Sequence, residues 1–456
     1  MDNTHDRVNF GSKVGAILAA AGSAVGLGNI WRFPYEAGNH GGAAFIFIYL
    51  GCVCLMGLPI MIGEFVIGRR AKASTGSSFE KLAPGTLWKW VGVLGVMTGF
   101  TILGYYTVVA GWTLEYLFQT VTGGLQGKDA AGFIEQFNSF SQDPLRPLVW
   151  LFLFTAVTHY VIVRGVKDGI EKSSKILMPI LFILVVVLAV CSVMLPGAEK
   201  GVEFLLKPDF SKVNADVFLG AMGQAFYSLS LGMGCLSTYA SYFGKDTRLG
   251  HTAVSVGLID TFIAILAGLI IFPAAFSVGI EPDAGPALIF ITLPNVFQMA
   301  LGDVPIIATI CSMTFYLLLA LAALTSTISL HEVSTAFFHE RFHFTRGRAA
   351  TIVSAVCLTT GTAASLALGD WSEYTIAGMN FFDFLDYVTA KIMLPTAGVL
   401  GAIFVGWVLD KQIVKDEVTN YGHLRGSYYP LFRFVLRYIS PICVIMIFLN
   451  ELGLFK

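Results

Sequence analysis

The chain is 456 residues long, with 29 Lys and Arg against 30 Asp and Glu and a formal net charge of −1. Charged residues make up 13% and hydrophobic ones 55%, with a mean hydropathy of +0.72, where soluble domains carry about 25% charged residues. So few charges cannot cover a globule of this size in water, which excludes a soluble enzyme, a disordered chain and a basic nucleic-acid binder and leaves a polytopic membrane protein.

A hydrocarbon core about 30 Å thick takes about 20 helical residues. Apolar runs between charged breaks predict eleven spans, at 13–37, 43–68, 89–121, 147–164, 174–196, 215–243, 252–279, 304–339, 349–368, 376–409 and 430–452. The runs are continuous and do not alternate, which excludes a β-barrel. All seven Cys sit inside apolar stretches, so no disulfide framework is expected. The polar start, Met1 to Ser12, runs into the first span without a cleavage site, so that span is expected to act as an uncleaved signal. Nineteen Lys and Arg fall on the side of the N-terminus and six on the other. The positive-inside rule then puts the N-terminus in the cytoplasm and, with eleven spans, the C-terminus outside.

Two spans carry glycine clusters at mid-depth: Gly22, Gly26 and Gly28 in AAAGSAVGLGNIWRFP, and Gly232 and Gly234 in GQAFYSLSLGMGCLSTYASY. Glycine costs about 1 kcal/mol in a helix interior. Close packing through small residues explains a single cluster. A matched pair five spans apart points instead to broken helices around a central site. In the fifth span, Gly169 and Pro179 bracket a stretch whose inner end is expected to unwind easily, although ordinary helix-start chemistry explains the pair nearly as well.

The run GSKVGAILAAAGSAVGLGNIWRFPYEAGNHGGAAFIFIYL, followed in order by GEFVIGR, GYYTVVAGW, SLSLGMG and LTSTISLHE, resembles the neurotransmitter:sodium symporter family, in its eleven-span prokaryotic form. The resemblance implies an all-α polytopic membrane protein of LeuT-type fold, with about eleven transmembrane helices, two inverted five-helix repeats and broken helices 1 and 6. Residues 1–196 would hold the N-terminal tail and first repeat, 197–410 the second repeat, and 411–456 a cytoplasmic loop and the last span.

The same resemblance implies a site. The amides of Leu27 and Gly28 would take a substrate carboxylate, capped by Tyr106, and carbonyls near Ala24, Tyr227 and Ser228 would take its ammonium. Ile102, Tyr106, Tyr227, Ser230, Met233, Ser326, Thr327 and Leu330 would line the side-chain pocket. None is charged, so a charged substrate side chain would lose hydration without a partner. Family members that carry biogenic amines have an aspartate where this chain has Gly26, so here the substrate must bring its own carboxylate. Two sodium ions are implied. One lies at Ala24, Asn29, Ser228 and Asp260 and is completed by the substrate; the other lies at Gly22, Val25, Ala322, Thr325 and Ser326. On sequence alone, Thr325 and Ser326 read more readily as helix hydroxyls bonding back to carbonyls one turn earlier.

An intramembrane carboxylate such as Asp260 is costly and reads as functional. Chloride-dependent relatives carry Asn there, so a fixed aspartate would make chloride unnecessary, and on the empty return it can take up a proton. Arg32 with Asp386, in preference to Asp383, would form an outer gate; Arg7 with Glu340, supported by Ser241 and Tyr242, an inner one. Glu64 and Glu332 are expected to satisfy backbone amides freed at the broken sixth helix, and His159, His331 and Glu115 to be packing or interface residues. Unwinding of the fifth span would wet the second sodium site from the cytoplasm. The expectation is a sodium-driven symporter of the cell inner membrane, importing a neutral hydrophobic amino acid, aromatic or branched aliphatic, by alternating access. Two rivals stay open, a proton-driven amino-acid carrier on the same fold and an amino-acid sensor that does not transport. The sequence holds no nucleophile–base pair or metal-ligand cluster, so no enzyme is expected.

Overall fold

The computed structural model describes residues 8–279, 287–301 and 304–454, apart from the Lys212 side chain. Besides one isolated bridge between Ile376 and Met379, the described residues form helices and the turns between them. Nine helices among them are long and apolar enough to cross a membrane: Ala43–Ala71, Lys89–Val121, Arg146–Val163, Val166–Val193, Leu249–Ser277, Pro305–Arg341, Arg346–Leu366, Phe381–Val408 and Tyr429–Glu451. In chain order these are the second to fifth spans and the seventh to eleventh. The first is a bent pair, Lys13–Ala24 and Leu27–Asn39, meeting at 60°. The sixth is two helices, Ala215–Ser228 and Cys235–Ala240, each too short to cross alone. Counting that broken segment as a crossing brings the number to the eleven expected.

The sidedness of the bundle is that of a protein whose solvent is hydrocarbon. Large apolar side chains such as Phe152, Ile183 and Leu258 point outward from the fourth, fifth and seventh spans. Lipid tails are as apolar as leucine, so this exposure costs nothing. The polar residues Asn29, Glu64, Ser228, Asp260, Thr325, Ser326 and Glu332 are buried inside. Ala19, Ala20, Ala21 and Gly22 of the first span are buried, and their small size lets it run between the fifth, seventh and eighth spans.

Breaking a helix in the membrane frees backbone groups that must find partners. In the sixth segment Ser230, Gly232 and Gly234 take φ of 54°, 79° and 77°. A Cβ on Gly232 would fall 2.6 Å from the Leu394 carbonyl of the tenth span, so sign of φ and lack of room both demand glycine. The Gly232 amide donates to Glu64 Oε1 at 2.7 Å, so the second span satisfies the break.

Two expectations about local structure are corrected. Glu332 does not serve the sixth-segment amides. It faces the other way, taking two bonds from Arg346 at 3.0 and 2.5 Å and one from the Tyr242 hydroxyl at 2.6 Å. A charge this deeply buried needs a counter-charge more than it needs a backbone donor, and the start of the ninth span supplies one. The fifth span starts at Val166, earlier than its apolar run, and is wound there as a wide turn from Val166 to Glu171. Gly169 is required by close approach, since a Cβ would lie 2.0 Å from the Val161 carbonyl. The polar start is tolerated because Glu171 is fully partnered, by the Gly11 amide (2.6 Å), the Ser12 hydroxyl (2.9 Å) and Lys175 (2.6 Å).

Candidate functional site

The first span stops at Ala24, and Val25 and Gly26 are extended before the helix restarts at Leu27. Gly26 has no room for a side chain: a Cβ would lie 2.6 Å from Ser326 Oγ and 3.2 Å from the Tyr106 hydroxyl. The Leu27 amide donates to that same hydroxyl at 3.2 Å. The restarted helix thus opens on the Leu27 amide aimed at a neutral oxygen, where its positive end suits a carboxylate.

The sixth segment closes on this break. A Cβ on Gly28 would touch the Tyr227 ring at 3.2 Å, and Ser230 Oγ donates to the Ser23 carbonyl at 2.8 Å. The Met233 backbone carbonyl and the Leu330 side chain both approach Gly99 of the third span, and Ile102 is buried on the same helix. Thr327 does not join them through its hydroxyl, which bonds Thr158 of the fourth span and the Leu324 carbonyl, both at 3.0 Å. One helical step past Ser326, its side chain is turned about 100° and meets a different neighbour.

Beside the pocket lies an oxygen cluster around a buried carboxylate. Asn29 Nδ2 donates to Asp260 Oδ1 at 2.7 Å and to Ser228 Oγ at 3.1 Å. Ser228 Oγ donates to Asp260 Oδ2 at 2.8 Å, and Asn29 Oδ1 takes the Gly26 amide at 2.9 Å. Three of the four residues expected for one sodium are in contact, and the fourth, Ala24, ends the first helix two residues from Gly26. Tyr49 also donates to Asp260, at 3.3 Å, a partner that an apolar second span did not single out.

A second cluster is built from neutral oxygens alone. The Val25 carbonyl accepts from Thr325 Oγ1 at 3.4 Å and from Ser326 Oγ at 3.2 Å. Thr325 also bonds the Ala322 carbonyl at 3.0 Å, and Gly22 packs against Thr325. All five residues expected for the second sodium meet at this point. The back-bond from Thr325 to Ala322 is present as well, so the local and the long-range readings of that hydroxyl coexist. Unwound carbonyls with hydroxyls are the hard, compact donor set that suits a small monovalent cation.

The gate residues fall out differently. Arg32 and Asp386 line one cavity of 210 Å³ together with Tyr227 and Glu451, but among the described residues the carboxylates in ion-pair range of Arg32 are Glu36 at 3.8 Å and Glu451 at 3.6 Å. The Arg32 guanidinium also stands 4.6 Å from the Tyr227 ring centroid. Asp386 accepts from the Tyr105 hydroxyl at 3.0 Å, while Asp383 is tied to its own helix start through Asn380. The expected Arg32–Asp386 pair is thus replaced here by one with the last span, whose end no motif marks.

At the opposite end, Arg7 lies outside the described residues. Glu340 accepts from the Ser74 amide at 2.7 Å, Ser241 bonds back to the Thr238 carbonyl, and Phe10 donates its amide to the Tyr242 carbonyl at 3.0 Å. Lys13 pairs with Asp246 at 3.0 Å, and that hydrogen bond holds the Asp246 carboxyl below its ordinary range. Away from the site, His159 and His331 share the Ser354 hydroxyl at 2.9 and 2.8 Å, and Glu115 gathers Arg146, Trp150 and Gln119.

A helical membrane bundle with two spans broken against each other, and oxygen clusters at the breaks, is a secondary transporter of LeuT-type fold. The pattern of the Sodium:neurotransmitter symporter family matches residues 7–141 and 143–456, and the chain belongs to that family. It is 36% identical over 448 residues to an uncharacterized sodium-dependent transporter of Bacillus subtilis, YhdH, covering 98% of each chain. It is 35% identical over 464 residues to one of Haemophilus influenzae, covering 99% of each. Its fold matches the crystal structure of MhsT in complex with L-phenylalanine at a TM-score of 0.87 and 45% identity, covering 98% of this chain and 100% of that one. The chain is a sodium-coupled transporter.

Proposed function

We propose that the protein imports a neutral hydrophobic L-amino acid, aromatic or branched aliphatic, together with two sodium ions, and needs no chloride. The observation that carries this reading is the packing of Gly26 against Ser326 and Tyr106. With no side chain admitted there, the pocket offers the substrate amides and hydroxyls, and a carboxylate on the substrate matches them. The pocket residues Ile102, Met233 and Leu330 are apolar, and the structural relative was crystallised with L-phenylalanine.

The Asp260 cluster and the Val25–Thr325–Ser326 cluster are the two sodium positions. Because the substrate carboxylate completes the first, each ligand raises the affinity of the other by the same factor. Asp260 supplies the negative charge that an anion would otherwise bring, and it returns protonated when the carrier is empty. Arg32 lies on the outer side, Lys13 and Glu340 on the cytoplasmic side of the cell membrane, and the N-terminus is cytoplasmic. Each sodium moving inward down 100 mV contributes about 2.3 kcal/mol to accumulation.

Uptake of a radiolabelled amino-acid panel into proteoliposomes tests this, with sodium or choline outside, each with chloride or gluconate. Accumulation that needs sodium and ignores chloride is expected. Sodium-independent uptake would overturn the coupling and favour a proton-driven carrier; saturable binding with no uptake would make the protein a sensor.

A further inference from the structure

The charges around the cavity beside Tyr227 make a set of pairs that the sequence motifs do not contain. Arg32 lies between two carboxylates that both line this cavity with it, Glu451 and Asp386. It leans to Glu451, at 3.6 Å from Oε1, and toward Glu36 one turn on, at 3.8 Å. Lys391 approaches the other oxygen of Glu451 at 3.7 Å. Glu36 is shared with His40 at 3.3 Å, and Asp386 is held by Tyr105 at 3.0 Å. Two cations therefore compete for Glu451, and two carboxylates flank Arg32 across one small space.

These contacts have the form an exchangeable gate requires. A short bidentate pair between Arg32 and either carboxylate would trap one state. Long, part-exposed pairs at 3.6–3.8 Å are individually weak, so small changes in cavity shape can move Arg32 from one partner to the other. Lys391 loosens the hold further, because Glu451 remains paired when Arg32 leaves. The alternative, a purely structural tie between the first and eleventh spans, does not account for the second cation on the same carboxylate.

We propose that Glu451, at the end of the last span, is the positioning residue of the outer gate. It holds Arg32 away from Asp386 while the cavity is open, and Arg32 passes to Asp386 when the gate closes. This rests on the transport reading above. The test places a cysteine on the cavity wall, Ala390→Cys, and follows its labelling by a charged methanethiosulfonate in sodium without substrate, subtracting the rate of the chain that lacks it. Glu451→Gln is expected to slow labelling several-fold, because Arg32 is released to close on Asp386. In an Asp386→Asn background the same change is expected to have no further effect. An unchanged or faster rate for Glu451→Gln, or equal slowing with Asp386→Asn present, overturns the proposal. If Glu451→Gln does not fold, Lys391→Gln carries the test: it leaves Glu451 to Arg32 alone, so labelling should rise, and a rate that stays level or falls overturns the proposal. Sodium-dependent uptake by the parent chain with labelling that ignores Glu451 sinks the gate alone, whereas sodium-independent uptake sinks the transport reading.

Discussion

Asn29 and Asp260 lie 231 residues apart in the chain and meet side chain to side chain at 2.7 Å. Asn29 belongs to the restarted half of the broken first span, and Asp260 to the middle of the unbroken seventh. The contact joins the element that bends to one that does not, through a carboxylate that hydrocarbon would otherwise penalise. It also joins the proposed sodium position to the local geometry of Gly26, since Asn29 Oδ1 holds the Gly26 amide.

Replacing Asp260 by Asn should therefore remove the charge and leave one acceptor oxygen where two now accept, from Asn29 on one side and from Ser228 and Tyr49 on the other. We expect sodium to bind at least 10-fold more weakly, about 1.4 kcal/mol, and chloride to restore part of the loss. Sodium titration of substrate binding, in chloride and in gluconate, reads both effects. An Asp260→Asn protein with unchanged sodium affinity would show that the carboxylate is structural.

Gly26→Ala puts a methyl group 2.6 Å from Ser326 Oγ. Overpacking of this kind costs about 1–3 kcal/mol, and here it falls on the proposed substrate and second-cation positions together. Substrate affinity is expected to drop by 10-fold or more while the protein still elutes as a single species. Wild-type affinity in that variant would mean that Ser326 and Tyr106 retreat freely, and the argument for a substrate-borne carboxylate would fail.

Tyr106→Phe removes the hydroxyl that the Leu27 amide meets at 3.2 Å. One hydrogen bond to a charged group is worth about 1.5–3 kcal/mol, so scintillation proximity binding should show an affinity loss of at least 10-fold. Sodium affinity measured without substrate should fall less than substrate affinity, because the hydroxyl reaches the oxygen clusters only through Ser326.

Glu64 caps the freed Gly232 amide at 2.7 Å. Glu64→Gln retains a carbonyl acceptor and should melt within a few degrees of the parent in detergent. Glu64→Ala leaves a buried donor unpaired, at a cost of about 1–3 kcal/mol, and should lower the melting temperature clearly. Equal melting of the two variants would mean that the amide finds another partner.

Much of the architecture is legible in the residues, for reasons that act locally. Hydrocarbon admits only long apolar helices, so the spans can be read from composition along the chain. Helix breaks need glycine, so Gly26, Gly28, Gly232 and Gly234 announce where the first and sixth spans open. A carboxylate in an apolar run announces itself by its cost, and Asp260 and Glu64 both proved to have the buried polar partners that cost demands.

Partner choice is another matter, because it depends on how each helix is rotated and where its neighbours end. Glu332 looks from sequence like a companion of Glu64, yet the start of the ninth span brings Arg346 to it first. Thr327 follows Thr325 and Ser326 of the second oxygen cluster in sequence, yet turns its hydroxyl to the fourth span. Glu171 and Glu451 carry no motif, and only packing makes one the holder of the Gly11–Ser12 segment and the other a partner of Arg32. The sequence by itself determined that this chain is a helical membrane bundle broken at two glycine clusters, since solvation and backbone freedom are properties of the residues themselves. The tertiary structure alone decided which charges pair across the bundle, since an ion pair a few ångströms long is set by distances between helices that no run of residues encodes.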